Sequence, residues 1–273
     1  MGTGEYPTLR RQGNLRHANV IAFLSDLHAN LEALEVALND LDQQGVEHLV
    51  CLGDVIGYGA SPREVVELVM KRFETCLQGN HDAALLDDQD AFGFNERALT
   101  AIDWTRRALD PEKEEHWPLW DWLGSLVPSM ALDIPGAEVV HIVHASPREP
   151  LTEYLMPNLA ADGERVLANF QAAEHRLTFF GHTHHPGYFV EGEPYQRAAA
   201  VDNRLELDPN KRYLINVGSV GQPRDGDPRL AYALFDGKSV EWRRLSYAHE
   251  TASQRIQKAG LPESLAARLL VGR

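Results

Sequence analysis

The chain has 273 residues, 44% of them hydrophobic and 24% charged, and a formal net charge of −14. That length suits one large domain or two small ones, and the acidic balance argues against broad binding to nucleic acid or to an anionic membrane. It leaves room for an anionic substrate, because bound divalent cations reverse the local sign.

The opening stretch MGTGEYPTLRRQGNLRH lacks the apolar core of a signal peptide, and no apolar run of about 18 residues follows it. A cytoplasmic location is expected, with residues 1–18 as a loose tail. Val20–Leu24 is a continuous apolar run and reads as a buried strand ending at Ser25-Asp26. Asn30 opens a helical pattern in Leu31, Leu34, Leu38 and Leu41, with Gly45 as its C-cap. His48–Leu52 is a second strand, ending at Gly53-Asp54. Ser61-Pro62-Arg63-Glu64 has the form of a capping box with Pro at the first helical position. Thr75-Cys76-Leu77 is a third strand, and it runs into Gly79-Asn80-His81-Asp82. Strand and helix alternate at βαβ spacing, which predicts a parallel sheet with chemistry at the carboxyl ends of its strands. Cys51 and Cys76 lie in apolar runs without metal-ribbon or CxxC spacing, and they read as buried thiols.

Residues 94–127 change to a helical excursion, with Ala98, Ile102, Thr105 and Leu109 on one face and Trp104, Trp117, Trp120 and Trp122 within it. It is a lid, a substrate wall or an ordinary packing layer. Exposed tryptophans there would favour a partner or a wall. After Pro128 the pattern turns to β. Met130–Ile134 and Val139–Val143 are strands, the second ending at His144. A helix is expected over about 158–174, then a strand Leu177–Phe180 ending at Gly181-His182-Thr183-His184. Short segments follow at Tyr188–Val190, Gln196–Val201, Arg204–Leu207, Tyr213–Val217, Arg229–Phe235 and Val240–Tyr247, separated by turn signals. They suggest a second, largely antiparallel sheet packed on the first. Residues 248–273 form a helix-prone tail. With no repeat or linker, the chain reads as a single domain.

Imidazole and carboxylate are the ligands of divalent transition metals, and a two-metal site needs a ligand that bridges its ions. Asp54 suits that task, having two oxygens and a glycine before it. Each motif has a plainer reading by itself. Asp26 could cap a helix, His28 sit in a loop, Gly53-Asp54 be a turn, and His144 be structural. His141, mid-strand, reads as structural. The plain readings lose weight together, because five such motifs follow one another in order, each at a strand's carboxyl end.

The series DLH, GD, GNHD, H, GHTH resembles the calcineurin-like metallophosphoesterase superfamily over residues 20–184, and the later INVGSV segment fits it too. The resemblance implies a four-layer α/β/β/α sandwich of two mixed sheets, with the metal centre on loops at one end. It implies two divalent transition metals (Mn, Fe, Zn or Ni). Asp26, His28 and His184 would bind the first, Asp54 would bridge, and Asn80, His144 and His182 would bind the second. His81 would contact the phosphate and act as general acid, with Asp82 either orienting His81 or shaping the turn. Bound water would supply hydroxide for in-line attack. The protein-phosphatase and dinucleoside-tetraphosphatase branches carry an arginine shortly after GD, where this chain has Val55-Ile56-Gly57-Tyr58-Gly59. They also carry Glu after GNH and Gly after the single His, where this chain has Asp82 and Ala145. The chain looks more like the small bacterial phosphodiesterases, acting on a small phosphoester or nucleotide, with the two other branches as the alternative. A scaffold that had given up catalysis would be expected to have lost ligands, and none is lost. Arg224 is a candidate for substrate phosphate, with a surface ion pair as its alternative, and Tyr58 and Tyr154 are candidates for the cleft lining.

Overall fold

The computed structural model describes residues 20–134 and 136–273, so the tail expected over residues 1–18 lies outside it. The strands are β1 (Ile21–Leu24), β2 (His48–Cys51), β3 (Thr75–Cys76), β4 (Ser129–Leu132), β5 (Val140–Val143), β6 (Leu177–Phe180), β7 (Gly187–Val190), β8 (Gln196–Arg197), β9 (Arg204–Glu206), β10 (Tyr213–Asn216), β11 (Leu230–Phe235) and β12 (Ser239–Leu245). The helices are α1 (Leu31–Gln44), α2 (Pro62–Arg72), α3 (Asn80–Leu86), α4 (Glu96–Ala108), α5 (Trp117–Ser125), α6 (Glu164–Ala172), α7 (His249–Lys258) and α8 (Glu263–Leu269).

β1 is apolar at every position because both its faces are covered. Ala22 and Leu24 point to a core shared with α1, α2, α4, α5, α7 and α8. Ile21 and Phe23 point the other way, into a core between two sheets with Phe179, Ile215, Phe235 and Trp242. A third cluster, Phe180, Phe189 and Leu214 with Val166 and Phe170 of α6, covers the far face of the second sheet. The order is therefore helices, sheet, sheet, helix. Both sheets are six-stranded and mixed, β3-β2-β1-β11-β12-β9 and β4-β5-β6-β10-β7-β8.

The C-terminal strands do not form a separate antiparallel sheet as the sequence suggests. β9, β11 and β12 extend the first sheet, with β11 antiparallel to β1, while β7, β8 and β10 complete the second. The reason lies in β11, whose six residues are all buried. Such a strand belongs in the middle of a covered sheet, and the open edge of β1 receives it.

Asn30 caps α1 through its side chain, and Gly45 closes it at φ 70°. Ser61 precedes α2, but its hydroxyl makes no capping bond. The start of that helix rests on Pro62, whose fixed φ suits the first turn. The helix expected over 158–174 begins only at Glu164, after Gly163. The segment expected to be a strand over Gln196–Val201 becomes a 3-10 turn after Arg197. Cys51 and Cys76 are register partners on β2 and β3, both free thiols, the first buried and the second half-buried. Within the helical excursion Ala98, Ile102, Thr105 and Leu109 are buried as their spacing predicts. Trp104, Trp120 and Trp122 pack on the same core, and among the four tryptophans only Trp117 is exposed. This excursion is mainly a packing layer. Among the described residues no helix is long and apolar enough to cross a membrane.

Candidate metal centre

Parallel register brings the ends of the first three strands level, with Leu24 beside Cys51 and Cys51 beside Cys76. Asp26, Asp54 and Asn80 therefore leave the sheet along one edge. β5, β6 and β10 run parallel in the second sheet and deliver His144, the 181–184 turn and the 217–222 segment to the corresponding edge. Phe23 stacks on Phe179 between the sheets, ring centroids 4.2 Å apart, and the two edges meet. Backbone bonds join the loops. Asp26 N–H donates to Gly53 O at 3.0 Å, His28 N–H to Asp54 O at 2.9 Å and Gly181 N–H to His144 O at 2.9 Å. His182 N–H donates to the Asp26 carboxylate at 3.0 Å, so this side chain ties one sheet's loop to the other's.

The turns are tight. Asp26, His28, Asp54, Tyr58, His182 and His184 all have φ between 46° and 61°. This left-handed region disfavours non-glycine residues by roughly 1–2 kcal/mol each. Glycine allows the closest approaches. A Cβ at Gly181 would lie 1.9 Å from Ser25 Oγ and 2.6 Å from Asp26 Oδ2, both in fully buried residues. Gly181→Ala is expected to destabilise the fold by about 2–3 kcal/mol and to weaken metal binding by displacing Asp26. A urea melt superimposable on that of the unchanged protein would contradict the packing described here.

Three histidines are oriented by backbone carbonyls. His28 Nδ1 lies 3.2 Å from Ile56 O, His144 Nδ1 2.8 Å from Leu52 O, and His184 Nδ1 2.5 Å from Gln222 O. A carbonyl only accepts, so each Nδ1 is assigned the hydrogen and each Nε2 a bare lone pair. His28 Nε2 and His184 Nε2 then face each other at 3.3 Å as two acceptors, a repulsive arrangement that a cation between them would relieve. Asp26 Oδ1 stands 3.1 Å from His184 Nε2 and 4.0 Å from His28 Nε2. Asp54 Oδ2 stands 3.6 Å from His28 Nε2 and 3.6 Å from His144 Nε2, while Asp54 Oδ1 accepts from His81 N–H at 2.8 Å. Asn80 Oδ1 is 3.1 Å from His144 Nε2. His182 Nε2 is buried without a hydrogen-bond partner among the described residues. The donor atoms fall into overlapping groups with the spacing of metal ligands: Asp26, His28 and His184; Asp54, His144 and His182; and His28, Asp54 and His81. Soft-edged nitrogen with hard carboxylate oxygen is the donor set of Mn, Fe, Ni or Zn, so the residues fit such ions.

The electrostatics agree. Burial lowers all five imidazoles, His184 to about 4, and keeps them neutral and ready to ligate near pH 7. Burial acts to raise the Asp26 carboxyl, but His184, when its Nε2 carries a proton, with His144 and the Ser25 hydroxyl, outweighs it and holds Asp26 below the usual carboxylate range; a cation in the place of that proton would act in the same direction. Burial, then the charges of Asp26 and Asp82, pushes Asp54 well up. A cation at the centre inverts that balance and returns Asp54 to its charged form.

Of the two expectations for Asp82, the geometry fits the turn. Its carboxylate accepts from Gly79 N–H at 2.9 Å, Val55 N–H at 3.0 Å and Ile56 N–H at 3.1 Å, and among the described residues no hydrogen bond joins it to the His81 ring. Burial outweighs those amides and raises it to about 6. His81 itself is packed between Tyr58, at 4.3 Å between centroids, and Phe94, at 4.8 Å, and its Nδ1 has no partner among the described residues. Tyr154 packs on His182 at 4.0 Å. Arg224 forms no ion pair with a carboxylate among the described residues, and donates instead to Gln222 Oε1 at 2.9 Å. His141 stays within β5, outside the donor groups.

Sequence reasoning missed several supports. Ser219 Oγ donates to Asp26 O at 2.9 Å, and Asn216 Nδ2 to Gly181 O at 2.6 Å. Gln222 orients His184 through its main chain, and Phe94 reaches His81 from the helical excursion. The INVGSV segment was the available signal for the first two, while Gln222 and Phe94 carry none.

The profile of the calcineurin-like phosphoesterase superfamily domain matches residues 20–239. An uncharacterised protein of Methanocaldococcus jannaschii is 39% identical over 260 residues, covering 93% of this chain and 99% of that one. The crystal structure of a metallophosphoesterase from Sphaerobacter thermophilus is 37% identical, covers 93% of this chain and 99% of its own, and superposes with a TM-score of 0.76. A hypothetical protein of Pyrococcus horikoshii OT3, 19% identical, shares the fold with a TM-score of 0.73 over 93% of this chain and 98% of that one. With strands, loops and donor atoms arranged as above and the profile spanning most of its length, the chain belongs to the calcineurin-like phosphoesterase superfamily.

Proposed function

We propose that the protein hydrolyses a small phosphodiester, a nucleotide or similar ester, at a centre of two divalent transition metals (Mn, Fe, Zn or Ni). The observation that carries this reading is Asp54 Oδ2, equidistant at 3.6 Å from the bare Nε2 atoms of His28 and His144. One carboxylate oxygen between two imidazoles of different donor groups suits a bridging ligand. Asp26, His28 and His184 would hold one ion, and Asn80, His144 and His182 the other. Such ions lower the pKa of bound water and neutralise charge on a phosphoryl group.

The chain's own residues do the rest. The carbonyls of Ile56, Leu52 and Gln222 fix which nitrogen of each imidazole faces the centre. His81 shares a donor group with His28 and Asp54 but is left outside both ion sets, and it donates a proton to the leaving oxygen. It is neutral at rest because burial lowers it, and the charge of an arriving phosphate acts against that shift. The missing arginine after Asp54 favours the diester, since a diester carries one negative charge fewer for such a clamp to balance.

The test is hydrolysis of a chromogenic phosphodiester beside the matching monoester, on metal-stripped protein with Mn, Ni, Zn, Fe or Mg restored singly. Diester turnover that returns with a transition metal is expected. Preference for the monoester would move the reading to a phosphatase, and silence on both with two ions bound would sink the small diester.

A further inference from the structure

Arg224 follows the 217–222 segment, and Arg268 lies in α8, far along the chain. Their guanidinium groups nevertheless converge. Arg224 donates to Gln222 Oε1 through Nη2 at 2.9 Å and Nε at 3.2 Å, and Arg268 donates to the same oxygen through Nη1 at 3.2 Å. Both lie over the Tyr58 ring, their Cζ atoms 5.7 and 6.0 Å from its centroid. Two cations thus share one neutral acceptor, and neither has a carboxylate partner among the described residues. Arg244, Arg229 and Arg255, by contrast, are paired, with Asp225, Asp227 and Glu32.

We infer that Arg224 and Arg268 form an anion site at the lip of the metal centre, which holds a second, unreacted phosphate of the substrate. The inference rests on the phosphoesterase reading above and narrows its substrate class. Tyr58 packs against the His28 ring at 4.7 Å and the His81 ring at 4.3 Å, so the arginines stand one aromatic ring out from those imidazoles. One small molecule could span the centre and the arginines together. Gln222 sets the spacing, because its main-chain carbonyl orients His184 while its side chain gathers the arginines. Planar guanidinium forks match phosphate oxygens in pairs. Burial, then the Arg224 charge beside it, disfavours the charged form of Arg268, and Arg97 of α4 adds a further opposing charge. A phosphate between them would remove that opposition.

The experiment is a calorimetric titration of the metal-loaded full chain with thymidine 5′-monophosphate, thymidine 5′-diphosphate and thymidine 3′,5′-bisphosphate. At least one doubly phosphorylated ligand is expected to bind about tenfold or more tightly than the monophosphate. Arg268→Ala should reduce that advantage to within about threefold, and Arg268→Lys should restore part of it. A 5′-diphosphate advantage marks a polyphosphate substrate, and a 3′,5′-bisphosphate advantage marks a nucleoside bisphosphate. Equal binding of all three ligands, or an advantage that survives Arg268→Ala, overturns the anion site. Failure of the phosphoesterase reading looks different. There, Arg268-dependent binding would persist while no metal restored hydrolysis of any phosphoester.

Discussion

Asp54→Asn is expected to remove metal and activity together. Asparagine preserves the shape, and its Oδ1 still accepts from His81 N–H, as the carboxylate does at 2.8 Å. The change falls on the other atom. An NH2 group replaces the oxygen that stands 3.6 Å from both His28 Nε2 and His144 Nε2, and it donates hydrogen to the lone pairs that would otherwise bind ions. Bound metal should fall below two equivalents, and kcat by on the order of a thousandfold, comparable to losing a principal charge-stabilising group. The metal-free variant should melt at a higher temperature than the metal-free parent. It loses a buried carboxyl opposed by Asp26 and Asp82. Added metal should raise its melting temperature less than it raises the parent's. A variant with two ions and more than a tenth of the parental rate would remove Asp54 from the bridging position.

His81→Ala should leave metal content intact and slow turnover about a hundredfold, the scale of general acid catalysis. The backbone N–H that fixes Asp54 is unaffected by the change. The informative comparison is between leaving groups. A nitrophenolate departs without a proton, whereas an alkoxide does not, so the loss should be larger for an alkyl ester. A uniform loss across leaving groups would make His81 a binding residue. Near-full activity on an alkyl ester would refute its role as acid.

The centre was legible because its parts are local. A strand buried on both faces reads as an unbroken apolar run, and the polar residue that ends it stands out, as with Leu24 before Ser25-Asp26 or Phe180 before Gly181-His182. The partition of the C-terminal strands was not legible, because β11 pairs with β1 across most of the chain and no local pattern specifies a partner. Asp82 read equally as a partner for His81 or as a turn residue, and its acceptor role toward Val55 and Ile56 depends on a loop 26 and 27 residues away. Arg268 was invisible for the opposite reason. An arginine on a short terminal helix looks like any solvated face until the fold folds that helix back over Tyr58. The capping motif at Ser61 was legible and misleading, since Pro62 alone suffices to start the helix.

The left-handed turns at the centre have a consequence for how this protein can change. Six residues that hold or flank the donor atoms occupy backbone that glycine would adopt more readily. Glycine would relieve the backbone there by roughly 1–2 kcal/mol per position, but it would also remove what these side chains hold, as where the Asp26 carboxylate accepts from His182 N–H and Asp54 from His81 N–H, and leave a cavity where each buried ring stood. The native residue and glycine thus each carry a cost at these positions, and drift there is slow on grounds of folding as well as of chemistry.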